Sequence, residues 1–516
     1  MRLGYVGIFL MLSAFMRLSA SDCYTGGTFV EQNGIDREFV KLWESRGIKP
    51  SPLCSDGVFV RRICIDLTGE APDATLAEKF IKSKKNDKRS ILIDRLLKSE
   101  SFADYWSMKY SDILRVKSEF PVNLWPNAVQ AYHRWIRDAV KTNMPYNKFV
   151  TALICSSGSN FRYPAVNFYR SAKSHDPKAI AGIAALAFMG QRFELWPEQK
   201  RKNLAEFFST VRFKKSAEWK EEIVYHDATA WTKTRILTFP DGSQVTIEAG
   251  TDPRPHLAAW ICGKGKKDLA SAAVNRTWFW LFGRAIVNEA DDMRPENPPV
   301  SKVLLNYLAD EFIASGYDFK KLCRLIVESS TYQQSPTGNA ENPDREKLFA
   351  AYPVRRLDAE IICDNLSLIT GVQDTYSSVI PEPFTYIPYG QKAVAIADGS
   401  ITSSFLDSFG RSARDSGYLS ERNNKVTAAQ RLFLLNSSDL QRDLYRSEKL
   451  KKLYTGRSRD EIIDSIYLLV LSRYPSPSED AVLDKTYPKR GRFNSRDAVS
   501  ELTWLLINTK EFLFRH

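Results

Sequence analysis

At 516 residues the chain is too long for a single hydrophobic core, and a hydrophobic content of 43% with 12% aromatics excludes wholesale disorder. Its 73 basic against 61 acidic residues leave a formal charge of +12, which favours anionic partners such as acidic or sulfated glycans and phospholipid head groups. The densest basic run is Lys82-Ser-Lys-Lys-Asn-Asp-Lys-Arg89, too sparse for a nucleic-acid face, so no nucleic-acid partner is expected.

The first residues read as an export signal over 1–21. Arg2 is followed by the apolar run Leu3 to Phe15, and Ser19-Ala20-Ser21 places small residues ahead of a cut before Asp22. That run is too short to span a bilayer, and no later stretch approaches the ~20 apolar residues that spanning needs. The mature chain is therefore expected to be exported, periplasmic or extracellular, with no transmembrane span. Asp22 directly before Cys23 argues against lipidation there. None of the seven cysteines forms a C-x-x-C pair, which excludes zinc ribbons, thioredoxin motifs and covalent haem attachment. Cys54 and Cys64 are the nearest pair for a disulfide, whereas Cys155, Cys323 and Cys363 sit in apolar helical patterns that equally suit buried thiols.

From 36 to 215 the pattern is helical throughout. Thr75-x-x-Glu78 is a capping-box signal, Asp87 and Ser101 are further caps, and Ser101 opens a helix with Phe102, Tyr105, Trp106 and Tyr110 inward. Asp176-Pro177 opens the most apolar helix, which Gly190 closes. Between 221 and 250 the period changes to that of strands, with Pro240-Asp241-Gly242 as a tight turn, and predicts a small β-hairpin insert. Helices resume over 268–282, 300–315, 319–329 and 356–370, and residues 372–400 read as irregular. Thr427-x-x-Gln430 caps another helix, followed by helices over 459–472, 478–485 and 495–513. The expected fold is mainly α: two helical domains, 36–215 and 252–516, joined by the hairpin insert.

Chemistry-bearing patterns are sparse. The five histidines form no H-x-x-H, H-x-x-x-H or H-E-x-x-H, so no metal site is expected, and neither G-x-S-x-G nor a nucleotide-binding glycine motif occurs. Asp291-Asp292 with Arg294 and Glu296 fits no Ca²⁺ loop. The stretch 396–440 concentrates Arg411, Arg414, Asp415, Glu421, Arg422, Asn423, Asn424 and Lys425 between apolar helices. Two readings follow. In one, Arg411, Arg414, Arg422, Asn423 and Asn424, with Asn275, Arg276 and Arg356, recognise an anion, and Glu421 or Asp415 supplies acid/base function. In the other, the arginines neutralise Asp415, Glu421 and acids such as Asp358 in a salt-bridged strap.

The segments Phe59-Val-Arg-Arg-Ile-Cys-Ile-Asp-Leu-Thr-Gly69 and Ile93-Asp-Arg-Leu-Leu97 resemble the first domain of a secreted family abundant in planctomycetes. That family joins a planctomycete cytochrome-c-like domain to a planctomycete-specific domain of unknown function. The second domain is resembled by Val274-Asn-Arg-Thr-Trp278, Leu281-Phe-Gly-Arg284, Tyr352-Pro-Val-Arg-Arg356 and Ser420-Glu-Arg-Asn-Asn424. Many members carry C-x-x-C-H after an apolar helix ending in Phe-x-Gly. Here Phe188-Met-Gly190 leads into Gln191-Arg-Phe-Glu-Leu-Trp-Pro197, without cysteine or histidine, so covalent haem c is not expected and no other cofactor is predicted. The resemblance brings no established activity, but the family's occurrence in polysaccharide-degrading bacteria implies an anionic glycan as partner. The expected role is an exported envelope protein that binds or helps process such a ligand. A hydrolase or lyase on that glycan, and a non-catalytic structural or partner-binding protein, are the alternatives.

Overall fold

The computed structural model describes residues 21–338, 344–488 and 495–516, so the expected export signal lies outside the described residues but for its last position. The chain is mainly α-helical, with strands confined to three small antiparallel sheets. No helix among the described residues is long and apolar enough to cross a membrane.

The expectation of separate cores is corrected: both halves of the sequence feed one continuous core. The helix Asp56–Thr68 is buried on every side except at Asp56, which makes it a central element rather than an amphipathic surface helix. Two of its buried arginines donate to backbone carbonyls: Arg61 to Val470 and Phe512, and Arg62 to Tyr332, Gln334 and His516. Arg62 also lies over the Tyr352 ring, 3.7 Å from its centroid. The helix Glu100–Ile113 likewise buries every residue from Phe102 to Ile113 except Asp104. Its Trp106 meets Trp280 and Phe319 edge-on at 5.7 and 4.9 Å, locking the first half to the second.

Several local expectations are corrected. The helix Ala74–Lys82 is capped by Asp73, which accepts from Leu76 N–H, and not by Thr75; Ser99, not Ser101, caps Glu100–Ile113. Asp87 occupies the cap position of its helix without a side-chain hydrogen bond. The Thr427/Gln430 capping box is present as expected.

Residues Val211–Lys215, expected as helix, form a strand, because Val211 and Phe213 alternate with polar neighbours at a period of two. The strands β1 (Gly158–Ser159), β2 (Val211–Lys215) and β3 (Glu222–His226) form one sheet in the order β1-β3-β2. Strands β4 (Arg235–Thr238) and β5 (Gln244–Ile247) form a separate hairpin. All seven cysteines are free thiols, with Cys54 and Cys64 buried and unpaired.

The third sheet positions the site. Strand β6 (Arg355–Arg356) pairs with β7 (Phe514–Arg515), and the register sets Arg355 opposite Arg515 and Arg356 opposite Phe514. Successive side chains of a strand point to opposite faces, so this short ribbon separates two cavities.

Candidate functional site

The polar loop folds back on itself before it meets anything else. Gly410 takes a left-handed φ of +74°, and a Cβ there would stand 2.1 Å from the Asn423 carbonyl oxygen, so only glycine allows the two limbs of the loop to close. Asn423 N–H donates to the Gly410 carbonyl across that contact. The Glu421 carboxylate accepts from the N–H groups of Asp415 and Ser416, at 3.1 and 2.5 Å, and from the Ser412 hydroxyl at 3.3 Å. It is engaged in loop closure. Asp415 is half-exposed and pairs with Lys117 at 2.6 Å.

The loop arginines reach across the junction to the first half of the chain. Arg414 is buried and donates to Asp112 at 2.9 Å, 302 residues away in sequence, and to the Ala397 carbonyl at 2.6 Å. Arg422 bridges Asp112 at 2.7 Å and Glu360 at 2.5 Å. Arg411 donates to the carbonyls of Ile401 and Asp398 and lies 3.5 Å from Glu360. Burial pulls the Arg411 guanidinium down to about 10, helped by the neighbouring Arg414. Arg422 goes the other way: burial opposes its charge, but Asp112 and Glu360 outweigh burial and raise its pKa.

Asn275 and Arg276 serve a different contact. Asn275 exchanges hydrogen bonds with the backbone of Val287 at 2.8 and 3.0 Å. Arg276 pairs with Asp291 at 3.0 Å and donates to the carbonyls of Leu186 and Ala187. Asp291 in turn accepts from Leu419 N–H at 2.7 Å, tying this pair to the loop from behind.

A cavity of about 150 Å³ opens beside the strap, at the junction of the two halves. Its charged lining is Lys109, Arg355, Arg422 and Arg515 against Asp112 and Asp358, with Phe279, Trp280 and Tyr418 supplying aromatic surface. Lys109 donates to Asp358 at 2.7 Å, and Arg515 reaches the same carboxylate at 3.3 Å and Asp66 at 2.6 Å. Arg355 donates to the carbonyls of Trp280 and Leu281, while its buried Nη1 has no hydrogen-bond partner. Gly283, with φ +75°, makes room for it, since a Cβ there would fall 2.3 Å from Arg355 Cδ. The junction network holds six cations, Lys109, Arg355, Arg411, Arg414, Arg422 and Arg515, against four carboxylates, Asp66, Asp112, Asp358 and Glu360. Two positive charges are left over in a desolvated place.

Burial alone would raise the Asp112 carboxyl, but Arg422, Arg414 and Lys109 overcome it and hold it below the usual carboxylate range. Asp358 is held well below that range: burial opposes the shift, and Lys109, Arg422 and Arg515 overwhelm it. Both are ionised at neutral pH and have no proton to give, so the cavity is equipped to hold an anion through its cations rather than to protonate a leaving group.

Of the residues singled out by sequence, Arg422, Asn424 and Asp358 line this cavity. Asn424 donates to Asp358 at 2.7 Å. Arg411, Arg414, Asn423, Asp415, Glu421, Asn275 and Arg276 stand behind it as scaffold, and Arg356 faces the other side of the ribbon. Lys109 and Asp112 were missed. Their signal was two charges one turn apart on a helix that is otherwise aromatic, which a buried helix tolerates only with partners. Arg515 carries no such pattern. Among the described residues no three His, Cys, Asp or Glu side chains gather where they could hold a metal ion.

Comparison with known proteins finds two family models in tandem. PSCyt2, described as a protein of unknown function (DUF1549), matches residues 34–218, and PSD1, a protein of unknown function (DUF1553), matches residues 253–487. No curated protein and no solved structure matches the chain. The Gln191–Pro197 segment has no thiol or imidazole to offer a covalently attached haem.

Proposed function

We propose that this chain, which belongs to the planctomycete family joining the PSCyt2 and PSD1 domains in tandem, is an exported envelope protein that binds an anionic group of an extracellular ligand in its junction cavity. One observation carries the reading: a cavity of about 150 Å³ is lined by four cations and two carboxylates, and one of those cations, Arg355, keeps a buried Nη1 without a partner. Arg355 shares Asp66 with Arg515, in a junction whose cations outnumber its carboxylates, and an excess of positive charge in a desolvated wall favours an anion.

The volume falls below the ~300–1,000 Å³ of sites that enclose a drug-sized ligand. It suits one carboxylate or sulfate group with part of a ring. Trp280 and Tyr418 add aromatic surface to the lining against which a sugar ring can pack, so an acidic or sulfated polysaccharide, recognised at one residue, is the ligand class we favour. The Glu421 and Asp415 carboxyls lie outside the cavity and the two carboxylates inside it are ion-paired, so the reading is of binding rather than bond cleavage.

Calorimetric titration with glucuronate-containing and sulfated disaccharides tests it. Wild type is expected to bind at least one of them, and Arg355→Gln to weaken that binding tenfold or more. Equal binding by the two proteins, or none by wild type, would overturn the reading.

A further inference from the structure

The opposite face of the β6–β7 ribbon carries a second and larger cavity, of about 510 Å³, within the size range of small-molecule sites. Its wall is mostly apolar, built by Phe409, Leu434, Leu435, Leu471 and Phe514. Set into that wall is Arg356, only 4% exposed. Its Nη2 donates to the carbonyls of Phe409 at 2.6 Å and Asn423 at 2.9 Å, but its Nη1 has no hydrogen-bond partner. Among the described residues no carboxylate lies within ion-pair distance of it. Burial accordingly lowers its pKa.

The two carboxylates in the lining do not answer this charge. Glu479 and Glu511 both grip Arg473, at 2.7 and 2.6 Å. The remaining charged groups, Arg431 and Lys510, are exposed cations without ion pairs among the described residues. Every uncommitted charge around the cleft is therefore positive. Arg61 and Arg62 are also buried and donate to main-chain oxygens, but they adjoin a space of only about 10 Å³, which admits no organic ligand. Arg356 differs from them in having room beside it.

We infer that this cleft is a binding site for an amphiphilic organic monoanion, its apolar portion against the Leu434–Phe514 wall and its anionic head on Arg356. A medium-chain carboxylate is the simplest such ligand. The inference does not rest on the junction cavity, which lies across the ribbon and is lined by Arg355 and Arg515 instead.

The test is thermal denaturation and calorimetry of the full chain with decanoate, and with decanol as the same chain without charge. Decanoate is expected to raise the melting temperature and decanol to do so far less. Arg356→Met should weaken decanoate binding at least tenfold. Leu435→Trp, which fills the cleft and leaves every hydrogen bond of Arg356 in place, should abolish it. Arg355→Gln should leave it unchanged. Binding of decanol as tight as that of decanoate would show that charge is not read. Wild-type affinity in Leu435→Trp, or loss of binding in Arg355→Gln, would place the ligand elsewhere. Either result overturns the proposal.

Discussion

Arg355 and Arg356 are neighbours in sequence and the same residue type, yet they stand in opposite electrostatic situations. On one face of their strand, Arg355 joins a network in which six cations share four carboxylates beside a small cavity with charged groups in its lining. On the other, Arg356 lies in an apolar wall with carbonyls, an amide and the Phe409 ring as its partners. The contrast shows that a dense run of arginines has no single meaning. A two-residue strand with period-two alternation divides them between a neutralising scaffold and two places where positive charge is left over.

The largest test of that contrast is to break the network. Arg422→Ala would leave Asp112 and Glu360 buried with fewer partners, and should cost about 3–5 kcal/mol in urea unfolding at neutral pH. Arg356→Met removes no counter-charge and orphans only carbonyls, so its expected cost is smaller, about 1–3 kcal/mol. Equal losses would mean that the two faces do not differ as described.

The faces should also differ in their response to acid. His133, on the helix Pro126–Lys141 packed against Glu100–Ile113, has its pKa lowered to about 3 by burial, with Arg414 and Arg137 adding to the shift. A histidine depressed in the folded state contributes stability above its unfolded pKa of about 6.5 and loses it as pH falls toward 3. At pH 5 that loss should be about 2 kcal/mol, absent in His133→Phe. The Asp112 and Asp358 contributions follow only below about pH 4, since their folded pKa values are also depressed. Arg356 keeps its charge throughout this range, so acid should weaken the network and leave the Arg356 charge untouched. The smallest effect is expected at Asp415→Asn, where a half-exposed pair with Lys117 is worth under about 1 kcal/mol.

The mainly α fold was legible because caps and apolar periodicity are local, as at Thr427 and Gln430. Strand Val211–Lys215 was not: five residues after Phe207-Phe208 fit either period until their partner at 222–226 is known. Arg411, Arg414 and Arg422 announced themselves by density. Their partners did not, because Asp112 lies about 300 residues from Arg414 and Arg422, and no local pattern couples such positions. The choice between pocket and strap was likewise beyond the sequence, since it depends on which way each side of one short strand faces.

The most direct measurement is anomalous diffraction from crystals soaked in selenate, a sulfate analogue visible by its own scattering. A selenate is expected in the junction cavity within ion-pair distance of the Arg355 guanidinium, and is expected to be lost in Arg355→Gln. A cavity holding only water, with selenate bound elsewhere or nowhere, would contradict it.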